Sequence, residues 1–202
     1  MPFTTVNDFT NELVSWTNSG ISTAVASNMI TLAEDRLYRE LRVRQMESST
    51  AVTMVSGQVP VPSDMIEIKD ARIDSSPEQA LQRKSPDWIY TKYPDRSGSG
   101  IPKFFAREGS NFIFGPPPSS DFVVRLNYYA RPSTAVSGTL TGIVSSSPGL
   151  LLNAAMVEAE AYLGRDNRVA LWESKYQQLK ELVMKEDRQE RFSGSPLTVT
   201  TA

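Results

Sequence analysis

The sequence predicts an α+β fold that is mainly a helical bundle, with an antiparallel β lobe inserted between its N-terminal and C-terminal helices. Apolar residues recur at helical spacing near both ends of the chain, whereas in the middle they alternate with polar residues. Helices with an apolar stripe must bury it, so the helices of the two ends are expected to pack together. We therefore expect bundle helices in residues 1–47 and 147–192, the β lobe with its loops in 48–146, and an extended C-terminal arm in 193–202.

Two helices of different character are predicted near the C-terminus. Residues 148–163 are apolar almost all round, and a helix of this kind must lie buried among other elements. Residues 166–191 carry one apolar stripe at steps of three and four, which places it on a single helix face. The members of this stripe are Val169, Trp172, Tyr176, Leu179 and Val183.

Two further helices are predicted at the N-terminus, over residues 5–18 and 22–44. The buried stripe of the second is predicted to consist of Val25, Met29, Leu32, Leu37 and Leu41, with Ala33 beside it. Its other face is charged and contains Glu34, Asp35, Arg36, Arg39, Glu40, Arg42 and Arg44. Charges of mixed sign are typical of a helix face that is solvated or that contacts another subunit.

The middle of the chain alternates in the manner of β-strands. The predicted strands are residues 51–55, 59–62, 65–73, 103–107, 111–114 and 122–129. The first two predict a hairpin around Ser56-Gly57-Gln58, with prolines that confine the second to a sheet edge. The last three predict an antiparallel meander. Residues 75–101 are loop-rich, with one short helix capped by Ser85.

Composition excludes several classes of chemistry. The 202 residues include no cysteine and no histidine, so thiolate or imidazole metal sites, cysteine nucleophiles and Ser-His-Asp triads are not available. No cofactor is expected. The net charge of −2 argues against a dedicated DNA-binding module. No apolar run reaches the ~18 residues that a membrane span requires, and no secretory signal is visible, so synthesis in a cytoplasm is expected.

A carboxylate hydrolase is one alternative, because paired carboxylates can cleave a glycosidic bond. The candidates are Asp64 with Glu67 and Asp70, or Glu158 with Glu160. The last two project about 200° apart around a helix, which does not suit one active site.

A nucleic-acid-binding protein is the second alternative. It would use the arginines of residues 36–44 together with an aromatic sheet on which bases could stack. The aromatic residues in question are Phe104, Phe105, Phe112, Phe114, Phe122, Tyr128 and Tyr129. Few basic residues accompany them, so most of these rings are predicted to be sheet core instead.

The segment after the last helix is a candidate docking arm. Ser193-Gly194-Ser195-Pro196 interrupts the helix, and the following Leu-Thr-Val-Thr-Thr is prone to β structure without an evident local partner. Such a strand can add to a sheet or groove of another chain. The alternative is a frayed end without a partner, as is common at chain termini.

Five blocks of the sequence, in this order and spacing, resemble one family. They are FTNELVSWTN, MITLAEDRLYRELRVRQME, VPVPSDMIEIKDARI, IPKFFAREGSNFIFGPPPSSDFVVRLNYYARPS and LLLNAAMVEAEAYLGRDNRVALWESKYQQLKEL. Together they resemble the head-to-tail adaptor, or connector, proteins of short-tailed phages and their relatives in other tailed phages. None of the blocks is a catalytic motif.

The resemblance implies a structural virion protein and no enzyme. It implies a ring, of twelve copies, beneath the portal protein ring, in contact with tail nozzle or tail tube proteins. Double-stranded DNA would pass through this ring without sequence-specific binding, on the way from capsid to tail during genome ejection. The location implied is the head–tail junction of the virion, after synthesis in the cytoplasm of a bacterial host.

The resemblance also implies an arm that reaches the portal. This arm would start near residue 188 and include Arg188, Arg191, Phe192, Leu197, Thr198, Val199 and Thr200. The contact between subunits is instead predicted from the charged helix face, which would contribute Arg36, Arg39, Arg42 and Arg44.

Overall fold

A computed structural model describes residues 5–95, 100–131 and 142–192 of the chain. The helices are α1 (Val6–Trp16), α2 (Thr23–Glu40), α3 (Pro86–Lys92), α4 (Gly142–Ser146), α5 (Pro148–Tyr162) and α6 (Asp166–Phe192). The strands are β1 (Glu47–Thr53), β2 (Gln58–Pro60), β3 (Met65–Ile73), β4 (Gln79–Arg83), β5 (Phe104–Glu108), β6 (Asn111–Gly115) and β7 (Val123–Ala130). In the described part, 49% of residues are helical and 27% lie in strands.

The chain divides into two compact units. One, the helical unit, consists of Met1–Met46 and Pro132–Ala202, and the other, the sheet unit, is Glu47–Arg131. The α+β class is thus correct. The expectation of a mainly helical bundle is wrong, because a seven-stranded sheet makes up the middle of the chain.

Side-chain caps fix the starts of α1 and α2. The backbone N–H of Asp8 donates to the Thr5 hydroxyl at 3.3 Å, and the Thr5 N–H donates to the Asp8 carboxylate at 2.8 Å. This reciprocal pair is a capping box, which satisfies two N–H groups at the N-terminus of the helix. Ser22 caps α2 by accepting from the N–H of Val25. Helix α2 ends at Glu40, four residues earlier than the sequence predicts.

The predicted buried stripe of α2 is partly wrong. Leu32 is 50% exposed, whereas Ala33, Leu37 and Leu41 are buried as predicted. The buried face of α2 consists of Ala26, Ile30, Ala33 and Leu37. These four also follow the spacing of one helix face, so periodicity alone does not separate the two sets. The small alanine side chains allow α5 to pack closely against this face of α2.

Helix α5 is the core of the helical unit, as its composition predicts. It packs against α1, α2, α4 and α6, and nine of its fifteen residues are buried. The stripe of α6 is also confirmed, because Trp172, Tyr176 and Val183 are buried and the other two members are half-buried. In the described ranges, no helix combines the length and the apolar character that crossing a bilayer requires.

The seven strands form one sheet in the order β1-β7-β3-β4-β5-β6-β2. All pairs are antiparallel except β4 with β5. The predicted β1–β2 hairpin is wrong, because these strands occupy opposite ends of the order. Only the turn between them is closed, by an isolated bridge between Val55, which follows β1, and Gln58. The predicted edge position of β2 is correct. Pro60 lacks an N–H, which suits a strand with a neighbour on one side.

The predicted meander is correct only for β5 and β6, since β7 pairs with β1 and β3. Phe105, Phe112 and Phe114 pack in the main core of the sheet unit, together with residues of β3 and β7. Ile113 and Ala106 pack instead against Ile89 of α3, in a second cluster. The strands β5 and β6 are therefore covered on both faces. Helix α3 begins at the predicted Ser85 cap.

Candidate assembly surface of the helical unit

Helices α2 and α6 are joined by an Arg–Glu pair at their surface. The Arg36 guanidinium donates to both carboxylate oxygens of Glu173, at 2.8 Å and 2.6 Å. Its Nε donates to Glu40 at 2.9 Å. The same guanidinium lies over the ring of Tyr176, 4.4 Å from the ring centroid. This bidentate geometry is the strongest form of an Arg–carboxylate contact.

Glu40 is the second centre of this network. Its Oε2 accepts from the Tyr176 hydroxyl at 2.8 Å and from the Lys180 ammonium at 2.8 Å. Burial favours a raised pKa for Glu40, but hydrogen bonds from Lys180, Arg36 and Tyr176 outweigh it and lower the pKa to about 2. Burial, followed by the hydrogen bond to Glu40, raises the pKa of Tyr176. We call these four residues, together with Glu173, the α2–α6 polar network.

The network follows from helical spacing. Arg36 and Glu40 are four residues apart on α2, and Glu173, Tyr176 and Lys180 succeed one another at steps of three and four on α6. Each set therefore projects from one helix face. The ring of Tyr176 is fully buried below the charged groups, so the apolar packing of α6 and its ion pairs with α2 occur at the same position.

The four arginines that were predicted to form the subunit interface have different surroundings in the structure. Arg36 is bound in the polar network, and Arg42 donates to the carbonyl oxygens of Tyr38 at 2.8 Å and of Leu41 at 2.6 Å. Arg44 pairs with Glu190, and its backbone N–H donates to Asp187 at 2.7 Å. These three arginines are thus engaged with their own chain.

Arg39 is exposed at the rim of a groove between α2 and α5. The groove has a volume of about 400 Å³ and is lined by Leu32, Asp35, Arg36, Arg39, Glu40 and Glu158. Leu32, the apolar side chain that the sequence placed in the core, lies in this lining. The groove thus combines an exposed cation, acidic groups and exposed apolar surface, which is a composition suited to a polar protein contact.

The predicted portal arm lies mostly outside the described residues. Arg188 is exposed on the last turns of α6. Arg191 pairs with Asp187 at 2.9 Å and donates to the carbonyl oxygen of Arg42 at 3.4 Å. Phe192 is the last residue of α6. The remaining residues that the sequence assigned to this arm, Leu197, Thr198, Val199 and Thr200, fall outside the described ranges.

The carboxylates proposed for a hydrolase do not form one site. Glu160 is fully buried, and its carboxylate is paired with Arg165 at 3.5 Å and Arg168 at 3.0 Å. Glu158 lies apart from it, in the groove with Arg39. In the sheet unit, Asp64 accepts from the Tyr128 hydroxyl at 3.1 Å, whereas Asp70 accepts from Asn127 at 2.8 Å and pairs with Arg72 at 3.2 Å. The described ranges contain no cluster of three acidic residues able to hold a metal ion.

The aromatic residues proposed for base stacking are mainly core, as predicted. Five of the seven rings are buried: Phe105, Phe112, Phe114, Tyr128 and Tyr129. Phe104 is half-buried and packs edge-on against Trp88 with ring centroids 4.7 Å apart. Since stacking requires an open ring face, these five rings cannot bind bases without unfolding of the sheet core.

The ion pairs of Glu160 with Arg165 and Arg168, which we call the clamp on Glu160, were not predicted from the sequence. Glu160 was considered only as a catalytic candidate, although Arg165 and Arg168 follow it closely across the turn between α5 and α6. An acidic residue in an otherwise apolar helix was the available signal, because a buried carboxylate needs cationic or hydrogen-bonding partners.

The helical unit thus consists of paired charges around a buried helix. Residues 4–200 match the model of the SU10 adaptor protein family, and the chain belongs to that family. It is a phage head-to-tail adaptor, a virion component that contacts other head and tail proteins. The resemblance seen in the five sequence blocks is thereby confirmed. No curated protein matches the chain.

Proposed function

We propose that the chain assembles as a ring of twelve copies between the portal ring and the tail nozzle or tail tube proteins, and that this ring continues the DNA channel. The observation that carries this proposal is the family match, which extends over almost the whole chain, residues 4–200. A ring of identical subunits needs two different patches on each copy, one for each neighbour.

The charges of the chain support passage of DNA without tight binding. The net charge is −2, and many basic side chains are paired with acidic ones. Arg36 binds Glu173 in the helical unit, and Lys69 binds Glu47 at 2.6 Å in the sheet unit. Cations that are already paired attract phosphates less than free ones, and phosphate contacts dominate non-specific DNA affinity. The proposed channel would therefore let DNA slide.

The contact with the portal is proposed for the end of α6 and the arm after it. Helix α6 has 27 residues and is thus about 40 Å long. Arg188 is exposed near its end, and Leu197, Thr198, Val199 and Thr200 provide a segment of high β propensity. Such a segment can pair with an open strand edge of the portal protein.

The contact between subunits is proposed for the α2 face that carries Arg36, Arg39, Arg42 and Arg44. Arg39 would meet the neighbouring copy directly, because it is exposed beside Leu32 in the α2–α5 groove. The other three would shape this face through their bonds to the same chain.

Electron cryomicroscopy of the virion that contains this chain tests the proposal. Twelvefold density between the portal and the tail, into which both units fit, is the expected result. Density for the chain at any other place in the virion, or a ring with another number of copies, contradicts it. A truncated chain that lacks residues 193–202 provides a second test. It should fold normally and bind isolated portal rings more weakly.

A further inference from the structure

Helix α2 carries a second apolar stripe beside the face that packs on α5. Val25, Met29 and Leu32 succeed one another at steps of four and three, so they share one helix face. Val25 and Met29 are half-buried, and Leu32 is 50% exposed. The buried face of α2 begins at Ala26, which projects about 100° away from Val25. These three residues, the outer α2 stripe, therefore offer apolar surface beyond what the core uses.

Helix α6 carries an exposed leucine on the side turned away from α2. Leu171 is 52% exposed, and Lys175 and Gln178 follow it at steps of four and three and are exposed too. Glu173, which binds Arg36 of α2, projects about 200° away from Leu171. We call Leu171, Lys175 and Gln178 the outer α6 patch. Since α2 lies on the opposite side of α6, this patch is available to a different partner.

The proposed ring, on which the following contact rests, determines how two neighbouring copies are oriented. Within one subunit α2 and α6 run in the same direction, because residues 36, 40 and 44 contact residues 173, 180 and 190 in ascending order. Neighbours in a ring of twelve are related by a rotation of about 30°, which turns any helix by no more than that angle. The α2 of one copy and the α6 of the next therefore also run in the same general direction.

Charges beside the two exposed leucines are complementary in this parallel arrangement. Asp35 lies three positions after Leu32 and projects about 60° to one side of it. Lys175 lies four positions after Leu171 and projects about 40° to the opposite side. When the leucines of two parallel helices face each other, these opposite rotations bring the carboxylate and the ammonium to the same side of the contact.

The second exposed leucine on this side of α6 lacks that complementarity. Leu182 follows Leu171 by eleven positions, or about 16 Å along the helix axis, and is 53% exposed. The residue four positions after Leu182 is Glu186. Placing Leu32 on Leu182 would thus bring Asp35 beside another carboxylate, and like charges at a contact are unfavourable. Charge therefore favours the position at Leu171.

We propose that the outer α2 stripe of one copy binds the outer α6 patch of the next copy, with Leu32 on Leu171 and Asp35 beside Lys175. This pairing gives each subunit the two different patches that a closed ring requires. Burial of the leucines and of Met29 supplies the attraction. The ion pair selects the register and disfavours the position at Leu182.

Disulfide trapping between separate chains tests this contact, because the chain has no cysteine of its own. Leu32→Cys and Leu171→Cys chains are mixed and oxidised, both alone at high concentration and on isolated portal rings. The matched control is a mixture of Leu32→Cys with Leu182→Cys, since Leu182 is equally exposed. Circular dichroism verifies that all three variants fold. Non-reducing gels quantify the linked dimers, and mass spectrometry identifies the linked peptides.

The expected yield of linked dimer is at least about tenfold higher for the Leu171 mixture than for the Leu182 mixture, because a disulfide requires Cβ atoms about 4 Å apart. Each variant oxidised by itself should give no linked dimer. Equal yields in the two mixtures overturn the proposal. Dimers of two Leu32→Cys chains as the main product, or no linked dimer from the Leu171 mixture under either condition, also overturn it.

Charge reversal provides a second readout that needs no cysteine. Lys175→Glu should weaken assembly on portal rings about tenfold, and adding Asp35→Lys to the same chain should restore it. Unchanged assembly of the single variant, or no rescue in the double variant, overturns the register. Portal binding of the unchanged chain is measured separately. Its absence contradicts the proposed function, whereas portal binding without the linked dimer contradicts this contact alone.

Discussion

Two clusters of charge hold α6 to the rest of the helical unit, and they differ in burial. The α2–α6 polar network is half-exposed, and Glu40 alone accepts from three side chains. The clamp on Glu160 is buried at its carboxylate, which two arginines reach at 3.5 Å and 3.0 Å without hydrogen-bond geometry. Water can replace a lost partner in the first cluster and has no access to the carboxylate of the second.

The difference teaches that similar ion pairs contribute unequally to stability. Exposed pairs are worth about 0–1 kcal/mol, because solvent competes for both partners. Removing the partner of a buried charge costs about 3–5 kcal/mol, because the charge that remains is uncompensated. Between the two clusters along α6 lies Trp172, which packs against the Trp16 ring and beneath the Lys175 ammonium, and which serves as the reference for both.

Replacing Trp172 with Ala should have the largest effect on stability. The side chain is buried, and its ring packs against that of Trp16 with centroids 5.5 Å apart. Loss of a buried aromatic ring leaves a cavity and should lower the free energy of unfolding by about 3–5 kcal/mol in urea denaturation. Leu171→Ala is the control, because Leu171 is exposed and should change stability by less than about 1 kcal/mol. Equal losses would contradict the observed orientation of α6.

Removing both cations of the clamp, Arg165→Ala with Arg168→Ala, should cost about 3 kcal/mol. The fully buried Glu160 carboxylate would then lack any cation in contact. Adding Glu160→Gln to the same chain should recover part of the loss in urea denaturation, since a neutral amide is less costly to bury than a carboxylate. A double variant as stable as the original chain would show that water reaches Glu160.

Local patterns predicted much of the helical unit. The apolar run of 148–163 identified α5 as core, and the spacing of Trp172, Tyr176 and Val183 identified the buried face of α6. One member of the α2 stripe, Leu32, was assigned wrongly because Leu32 and Ile30 both fit a helical period, and only the packed partner α5 decides between them. Element type was thus predictable, whereas the choice of face depended on distant residues.

The sheet unit was less predictable because its pairings are non-local. Strand β1 pairs with β7, which lies far along the chain, and the short turn after β1 wrongly indicated a hairpin with β2. Strand β4 was missed because Leu81 is its only buried residue, so it shows no alternation. In the candidate surface, the arginines of α2 were found by composition, but their bonds to Glu173 and Glu190 on α6 could not be predicted without the fold.

Acid should weaken the polar network before it affects the apolar contacts. Hydrogen bonds from Lys180, Arg36 and Tyr176 overcome burial and hold the pKa of Glu40 at about 2, below the ordinary value of about 4.3. A lowered folded-state pKa means that this stability is present above about pH 4.3 and is lost as the pH falls towards 2. Urea midpoints measured between pH 6 and pH 2.5 should therefore fall less steeply for Glu40→Gln than for the unchanged chain. Identical slopes would show that Glu40 does not contribute to the loss of stability in acid.

Reversing the charge of Arg39 should have the smallest effect on the folded subunit and a clear effect on assembly. Arg39 is exposed at the α2–α5 groove, so Arg39→Glu should change the free energy of unfolding by no more than about 0.5 kcal/mol. Assembly on isolated portal rings, followed by mass photometry, should nevertheless weaken, because a reversed charge at a subunit contact repels its partner. Lys185→Glu is the matched control, since it makes the same change of charge at an exposed position of α6. If both variants assemble equally well, Arg39 lies outside the subunit contact, and the paired arginines of α2 serve the fold alone.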